Sequence, residues 1–180
     1  MGELLLQPTS LAQWYSIVSE AHAVAPVGLN STTESYLVYL LMRFTNKPQE
    51  IQSILALDFL QSAHLKGELR QERLREVGDK CLLLTGLFPG RAMRRCLRIS
   101  YFVDLGKTAY DSIPTDLMDQ EEDLYYQLAR AFVPMMDVLY AIRSLADWQH
   151  GQMNLTQAET IWRQTGSPFA YKILQQHRLT

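Results

Sequence analysis

Four arginines at helical spacing are the residues whose types and positions favour a specific chemistry. Arg91, Arg94, Arg95 and Arg98 follow a turn at 88–90 at i, i+3, i+4 and i+7, the spacing of one side of a helix. Cations in the first turn of a helix oppose its macrodipole unless an anion faces them. Guanidinium groups beside free helix amides suit a phosphate group. The four arginines are therefore candidate residues for binding phosphate or a nucleic-acid backbone.

The favoured interpretation of the same arginines needs no external ligand: they pair with acids of the chain or are simply solvated. Residues 66–98 hold nine bases and four acids, whereas residues 99–147 hold three bases and nine acids, so the two segments can pair within the chain. Nucleic acid is disfavoured as a partner, because the sequence pI near 6.1 lacks a basic excess over the whole domain. The acids that follow the arginines most closely are Asp116, Asp119, Glu121, Glu122 and Asp123.

A helix predicted near 99–113 is expected to position the four arginines, which we call the arginine corner. Its apolar residues fall within one narrow arc of a helical wheel. Gly106 lies at the centre of that arc, and a glycine inside a helix costs roughly 1 kcal/mol relative to alanine. We therefore expect a neighbouring helix to approach closely there. The residues of the arc are Ile99, Phe102, Val103, Gly106, Ala109, Tyr110 and Ile113.

The opposite face of this helix carries Asp104, Lys107 and Asp111 at spacings of three and four residues. The favoured interpretation is a surface ion triad in which the lysine meets both carboxylates. A metal site or an acid/base pair is the alternative for the two aspartates. No other residues of the sequence visibly converge on them.

Asp58 and Ser62 are the candidate buried polar residues. They lie one turn apart on a helix predicted from Pro48 to Leu65, and Asp58 projects from the centre of its apolar face. A carboxylate buried there needs a partner, because leaving it unpaired costs several kcal/mol or raises its pKa. A hydrogen bond to another helix is the favoured explanation.

Several further helices are predicted from capping and breaker signals. Ser31 with Glu34 and Thr156 with Glu159 read as capping boxes, and Pro168 is placed to start a last helix after Gly166. A helix near 69–87 is predicted as a surface helix whose apolar end enters the core. A long helix near 116–147 keeps one apolar stripe in phase across Pro134, which predicts a kink there and no break. That stripe is Leu117, Leu124, Leu128, Phe132, Met135, Leu139, Ile142 and Ala146.

Length and composition predict one domain, 1–180, with an all-α fold. The chain has 180 residues, 47% of them hydrophobic and 20% charged, which suits a single-domain helical bundle of about seven or eight helices. Cys81 and Cys96 are expected to be buried, reduced thiols. No secretory signal and no apolar run long enough for a membrane span is present, so we expect a cytoplasmic protein.

Catalytic signatures are missing from the sequence. Histidines are four and scattered, and no zinc-protease, di-iron, P-loop or nucleophile-elbow motif occurs. We therefore predict no catalytic residues, no metal site and no cofactor. An enzyme is the least favoured class, and its site would be assembled in space from Asp58, Asp104, Tyr110, Asp111 or His150.

The predicted function is a helical interaction module, either an adaptor or a regulatory partner. Its partner is expected to be another protein or a second copy of the chain. Anion binding by Arg91, Arg94, Arg95 and Arg98 is the alternative.

Overall fold

The computed structural model describes residues 9–46, 55–94, 98–115, 123–146 and 152–178. Within these ranges every regular element is a helix, so the predicted all-α class is confirmed. Ten helices are described, where seven or eight were expected. They are α1 (Ser10–Val24), α2 (Ser31–Asn46), α3 (Leu55–Ser62), α4 (Gly67–Leu87), α5 (Pro89–Arg94), α6 (Ile99–Asp111), α7 (Leu124–Arg130), α8 (Phe132–Leu145), α9 (Leu155–Thr165) and α10 (Pro168–Arg178).

Helix α4 occupies the centre of the bundle. Its first turns are at the surface, with Leu69 65% exposed, whereas all residues of 81–87 are buried. The helix packs against α3, α6 and α8. The prediction that the end of this helix enters the core is confirmed.

Helix α6 has the predicted buried face, and at Gly106 its neighbours leave no room for a Cβ. A Cβ added at Gly106 would overlap the ring of Phe132 and lie 2.9 Å from Cβ of Cys81. The prediction of close helix packing at this glycine is therefore confirmed. A matching contact lies on α4, where a Cβ added at Gly78 would overlap the ring of Tyr110.

The predicted long helix is divided in two, so the expectation of a kink without a break is wrong. Ala131, with φ −88° and ψ 8°, separates α7 from α8. Pro134 has no N–H to donate to the carbonyl of Arg130, and its ring crowds that carbonyl, which favours a helix end just before it. The stripe itself is confirmed for Leu128, Phe132 and Met135 and on through α8 to Ile142, all buried. Leu124 is half-buried, and Ala146 is exposed and does not belong to it. Residues 116–122 and 147 lie outside the described residues.

Both predicted capping boxes are displaced from the observed caps. The side chain of Asn30 accepts from the N–H of Thr33 at 2.9 Å, one residue before the predicted cap at Ser31. Asn154 and Gln157 form the box that starts α9, two residues before the predicted pair. The predicted end at Gly166, which has φ +70°, and the start at Pro168 are confirmed.

Two further features of the described chain concern its thiol and its helix lengths. Cys81 is a buried, free thiol, and burial raises the pKa of that thiol well above its ordinary value. Cys96 lies outside the described residues. Among the described helices, none combines the length and apolar composition that crossing a bilayer requires.

Candidate functional site

The arginine corner is exposed but is not built on one helix. Arg91 and Arg94 lie on α5, and the guanidinium of Arg91 lies 4.7 Å from the centre of the Phe88 ring. Arg98 precedes α6 with an extended backbone, φ −69° and ψ 145°, so it cannot continue the helix that carries Arg91. The expectation that the cluster shares one helix side therefore fails for Arg98. Arg95 lies outside the described residues.

At the N-terminus of α6, one backbone N–H already has an acceptor within the protein. The N–H of Ser100 donates to Oε1 of Gln164 on α9 at 3.3 Å. The acidic run proposed as the internal partner is described only at Asp123, whose side chain accepts from the N–H of Tyr126 at 3.0 Å and caps α7. Asp116, Asp119, Glu121 and Glu122 lie outside the described residues.

The predicted ion triad lies on the outer face of α6, as expected, but its members do not pair. Asp104 and Asp111 are exposed and Lys107 is half-buried. Among the ion pairs of the described chain, none within 4.0 Å joins any two of these three side chains. Exposed pairs gain little over hydration.

Asp58 and Ser62 lie at the packed interface between α3 and α4. The Asp58 carboxylate is half-buried between two cations of α4, with Arg73 Nη1 3.9 Å from Oδ1 and Lys80 Nζ 3.7 Å from Oδ2. The buried hydroxyl of Ser62 donates to the carbonyl of Phe59 at 2.6 Å. Asp58 therefore has ion-pair partners on α4, although its Oδ2 accepts no hydrogen bond, and Ser62 is satisfied within α3.

Asp79 forms a buried polar cluster that the sequence did not reveal. It is 2% exposed, and its Oδ1 accepts from the hydroxyls of Tyr36 at 2.6 Å and Tyr110 at 2.7 Å. Arg43 pairs with its Oδ2. Burial, followed by the neighbouring carboxylate of Asp79, raises the pKa of both tyrosines, so they remain hydroxyl donors. The cluster ties α2, α4 and α6 together.

Asp137 is a second buried carboxylate, and it holds the last helix. From α8 its Oδ1 accepts from Ser167 Oγ at 2.6 Å and its Oδ2 accepts from the N–H of Phe169 at 2.9 Å. Ser167 Oγ in turn accepts from the N–H of Ala170 at 3.0 Å. Burial raises the pKa of Asp137 from 3.8 to about 6, while the two donors act in the opposite direction. The N-terminus of α10 is thus capped from another helix.

One histidine–carboxylate pair is described, and both ring nitrogens are engaged. Nε2 of His22 accepts from the N–H of Leu29 at 3.1 Å. The proton must therefore lie on Nδ1, which donates to Oε2 of Glu34 at 3.0 Å. This pair anchors the connection between α1 and α2, and no nitrogen of the ring is left to accept a proton from a substrate.

The enzyme candidates are not brought together in the described chain. Tyr110 lies on the buried face of α6, whereas Asp104 and Asp111 lie on its outer face. Asp58 is held by α4, and His150 lies outside the described residues. Among the described residues, no group of three or more His, Cys, Asp or Glu side chains is placed to hold a metal ion.

A surface groove of about 500 Å³ lies between α1, α8 and α10. Helix α10 supplies one wall at i, i+3, i+4, i+7 and i+8, the spacing of a single helix face. Lys172 Nζ spans the groove and donates to the carbonyl of Val24 at 3.2 Å. The lining residues are Val24, Ser144, Gln152, Met153, Phe169, Lys172, Ile173, Gln176 and His177.

Asp137 holds the helix that forms one wall of the groove. Phe169 lines the groove, is buried against the core and donates its backbone N–H to Asp137. Ser167, the other donor to Asp137, is fully buried. The wall formed by α10 is therefore held at its first turn by a side chain that is not part of the groove.

A search of family models finds no match to the chain, and neither characterised protein sequences nor solved structures provide a match.

Proposed function

We propose that the chain is a non-enzymatic helical interaction module that docks a protein partner in the groove between α1, α8 and α10. The observation that carries the proposal is the composition of that groove. Apolar side chains of Val24, Met153, Phe169 and Ile173 lie beside the ammonium, amide and hydroxyl groups of its other lining residues. Docking surfaces of this kind combine apolar anchors with a polar rim.

The condition of the buried polar groups supports an interaction role over catalysis. The Asp79 and Asp137 carboxylates accept bonds that join helices, and both nitrogens of His22 are engaged. A general base needs a lone pair within reach of a substrate. These three groups instead join helices to one another, and Asp137 does so for α10, a wall of the groove. We place the protein in the cytoplasm as part of the same proposal.

Site-specific photo-crosslinking tests the proposal. Gln176 lines the groove, whereas its neighbour Gln175 is also exposed but does not line it. A photoreactive residue placed at 176 in the cells that make the protein is expected to give discrete crosslinks to a partner, and the same residue at 175 is expected to give none of them. Identical patterns from the two positions would contradict the proposal.

A second copy of the chain is the other partner to be distinguished. Light scattering during size-exclusion chromatography gives the mass in solution directly. A dimer in which position 176 crosslinks to a second copy of the chain would identify a self-association module. A monomer with heterologous crosslinks would identify an adaptor.

Anion binding remains a second candidate because Arg91, Arg94 and Arg98 are all exposed. The double variant R91E/R94E is expected to abolish binding of phosphate or of a short oligonucleotide at low salt while the circular dichroism stays unchanged. Calorimetric titration measures this. Binding that is unchanged in the double variant, at low and at high salt, would remove the candidate.

A further inference from the structure

We infer that the partner segment of the groove is an acidic amphipathic helix, an inference that rests on the proposed docking function and names its ligand. Three observations lead to it: the charge of the groove, its length and the position of its apolar residues. Each concerns described residues only.

The described lining of the groove contains a cation and no acid. That cation is Lys172. Helix α10, which supplies one wall, carries Lys172 and Arg178 and no acid. Because the chain as a whole has a net charge of −2, this wall is an exception, and it suits a negatively charged partner.

Lys172 is placed to receive a carboxylate. Its ammonium group has three donors, and the bond to the carbonyl of Val24 takes one of them. The two remaining hydrogens are available at the groove, beside the C-terminus of α1. A partner carboxylate there would complete the coordination of the ammonium group at the edge of the apolar surface.

The length and pattern of the wall favour a helical occupant. The groove face of α10 runs from Phe169 to His177, which is about 12 Å at the rise of an α-helix. That distance matches about two turns of a docked helix, which presents apolar anchors at i, i+3, i+4 and i+7. Ile173 lies in the middle of this face, and Val24, 41% exposed, lies across from it.

Selection from a random peptide library displayed on phage, with the full chain as bait, tests the inference. We expect enriched peptides that combine Asp or Glu with apolar residues at helical spacing. For such a peptide, K172E is expected to weaken binding by about tenfold or more, and V24N by a smaller factor, as measured by fluorescence anisotropy. Rising salt should weaken wild-type binding.

R163E is the matched control for the charge change. Arg163 lies on α9, is 71% exposed and pairs with Glu159 outside the groove. R163E alters the net charge as much as K172E does, and the affinity for the selected peptides is expected to change by no more than about twofold. Equal effects of K172E and R163E would overturn the inference, because they would indicate only a long-range attraction.

The outcomes separate the ligand from the docking function. Peptides that lose binding with V24N but lack acidic residues and ignore K172E would overturn the acidic partner and leave the groove as a docking site. A selection with no V24N-sensitive peptide would contradict the docking function itself. So would binding of dodecanoate, a small carboxylate amphiphile, in the groove without any peptide. V24N acts at an exposed side chain, so its fold is checked directly by thermal melting.

Discussion

Asp79 and Asp137 are two aspartates buried in one bundle, and they are compensated in different ways. Asp79 is held by two phenolic hydroxyls and a guanidinium that come from α2 and α6. Asp137 is held by a serine hydroxyl and a backbone N–H at the start of α10. The pKa of Asp137 is raised to about 6 by burial. The first carboxylate thus joins core helices, while the second fixes the helix that walls the groove.

This difference separates the stability of the core from the position of the docking wall. Loss of Asp79 would leave Tyr36 and Tyr110 without their shared acceptor at the junction of three helices. Loss of the Asp137 contacts would act on the first turn of α10. The following predictions test that separation, beginning with the largest expected effect.

The variant D79A is expected to be the most destabilising. It removes the acceptor of two buried hydroxyls and the partner of Arg43, and each buried group left unsatisfied costs about 1–3 kcal/mol. We expect the free energy of unfolding in urea to fall by roughly 3–5 kcal/mol. D104A, which removes an exposed aspartate of α6, is the control and should change stability by less than about 0.5 kcal/mol. A D79A variant as stable as D104A would show that the cluster is dispensable.

The pH dependence of stability is expected to contain a contribution from Asp137. Its folded pKa, about 6, lies above the ordinary 3.8, so this contribution is fully present below pH 3.8 and is lost as the pH rises through about 6. A pKa difference of one between the folded and unfolded states corresponds to about 1.4 kcal/mol. The free energy of unfolding of wild type relative to D137N should therefore fall by up to about 3 kcal/mol over this window. Urea titrations at pH 4 and pH 7 measure the difference. A difference in free energy of unfolding between wild type and D137N that does not change with pH would contradict the raised pKa of Asp137.

The variant S167A is expected to loosen α10 while the core stays intact. It removes one donor to Asp137 and the acceptor of the N–H of Ala170, which should cost about 1–2 kcal/mol. Amide hydrogen exchange should accelerate at Phe169 and Ala170, with that of Leu82 and Leu84 in α4 changed much less. S19A, at an exposed serine of α1 that does not line the groove, serves as the control. Uniform acceleration through α4 would show that α10 and the core unfold as one unit.

The smallest expected effect on stability is that of K172E, which replaces a half-buried cation of the groove. It breaks one exposed hydrogen bond to the carbonyl of Val24, so the free energy of unfolding should change by less than about 1 kcal/mol. Thermal melting checks this. A loss comparable to that of D79A would mean that the groove residue serves the core, and would remove the contrast between the two regions.

Much of the fold was predictable because its signals are local. The stripe through Phe132, Met135 and Leu139 follows from helical period alone, and the end at Gly166 follows from the left-handed preference of glycine. Gly106 was also informative, since a glycine on a buried helix face implies a close neighbour. Each of these features depends on residues within a few turns of one another.

The capping boxes and the break at Ala131 show where local signals compete. Asn30 and Ser31 are both good caps, and Asn30 takes the role because Glu34 is engaged by His22. The phase of the apolar stripe survives a one-residue turn, so it could not distinguish a kink from a break at Pro134. Tertiary contacts and the proline decided between alternatives that the spacing left equal.

The two buried carboxylates were missed for different reasons. Asp79 is bonded to tyrosines 43 and 31 residues away, a distance at which no periodic pattern relates them. Asp137 did carry a signal, because it is the one charged residue among the apolar side chains of 132–142, and such a residue requires a buried partner. The groove itself could not be predicted, since its walls come from three separated segments.

Amide chemical-shift mapping on adding a library-selected acidic peptide tests the docking account most directly. We predict shifts concentrated at Val24, Met153, Phe169 and Ile173, with the amides of Tyr36, Asp79 and Tyr110 unmoved. Shifts centred on the 91–98 corner or on the Asp79 cluster, with α10 unchanged, would contradict it.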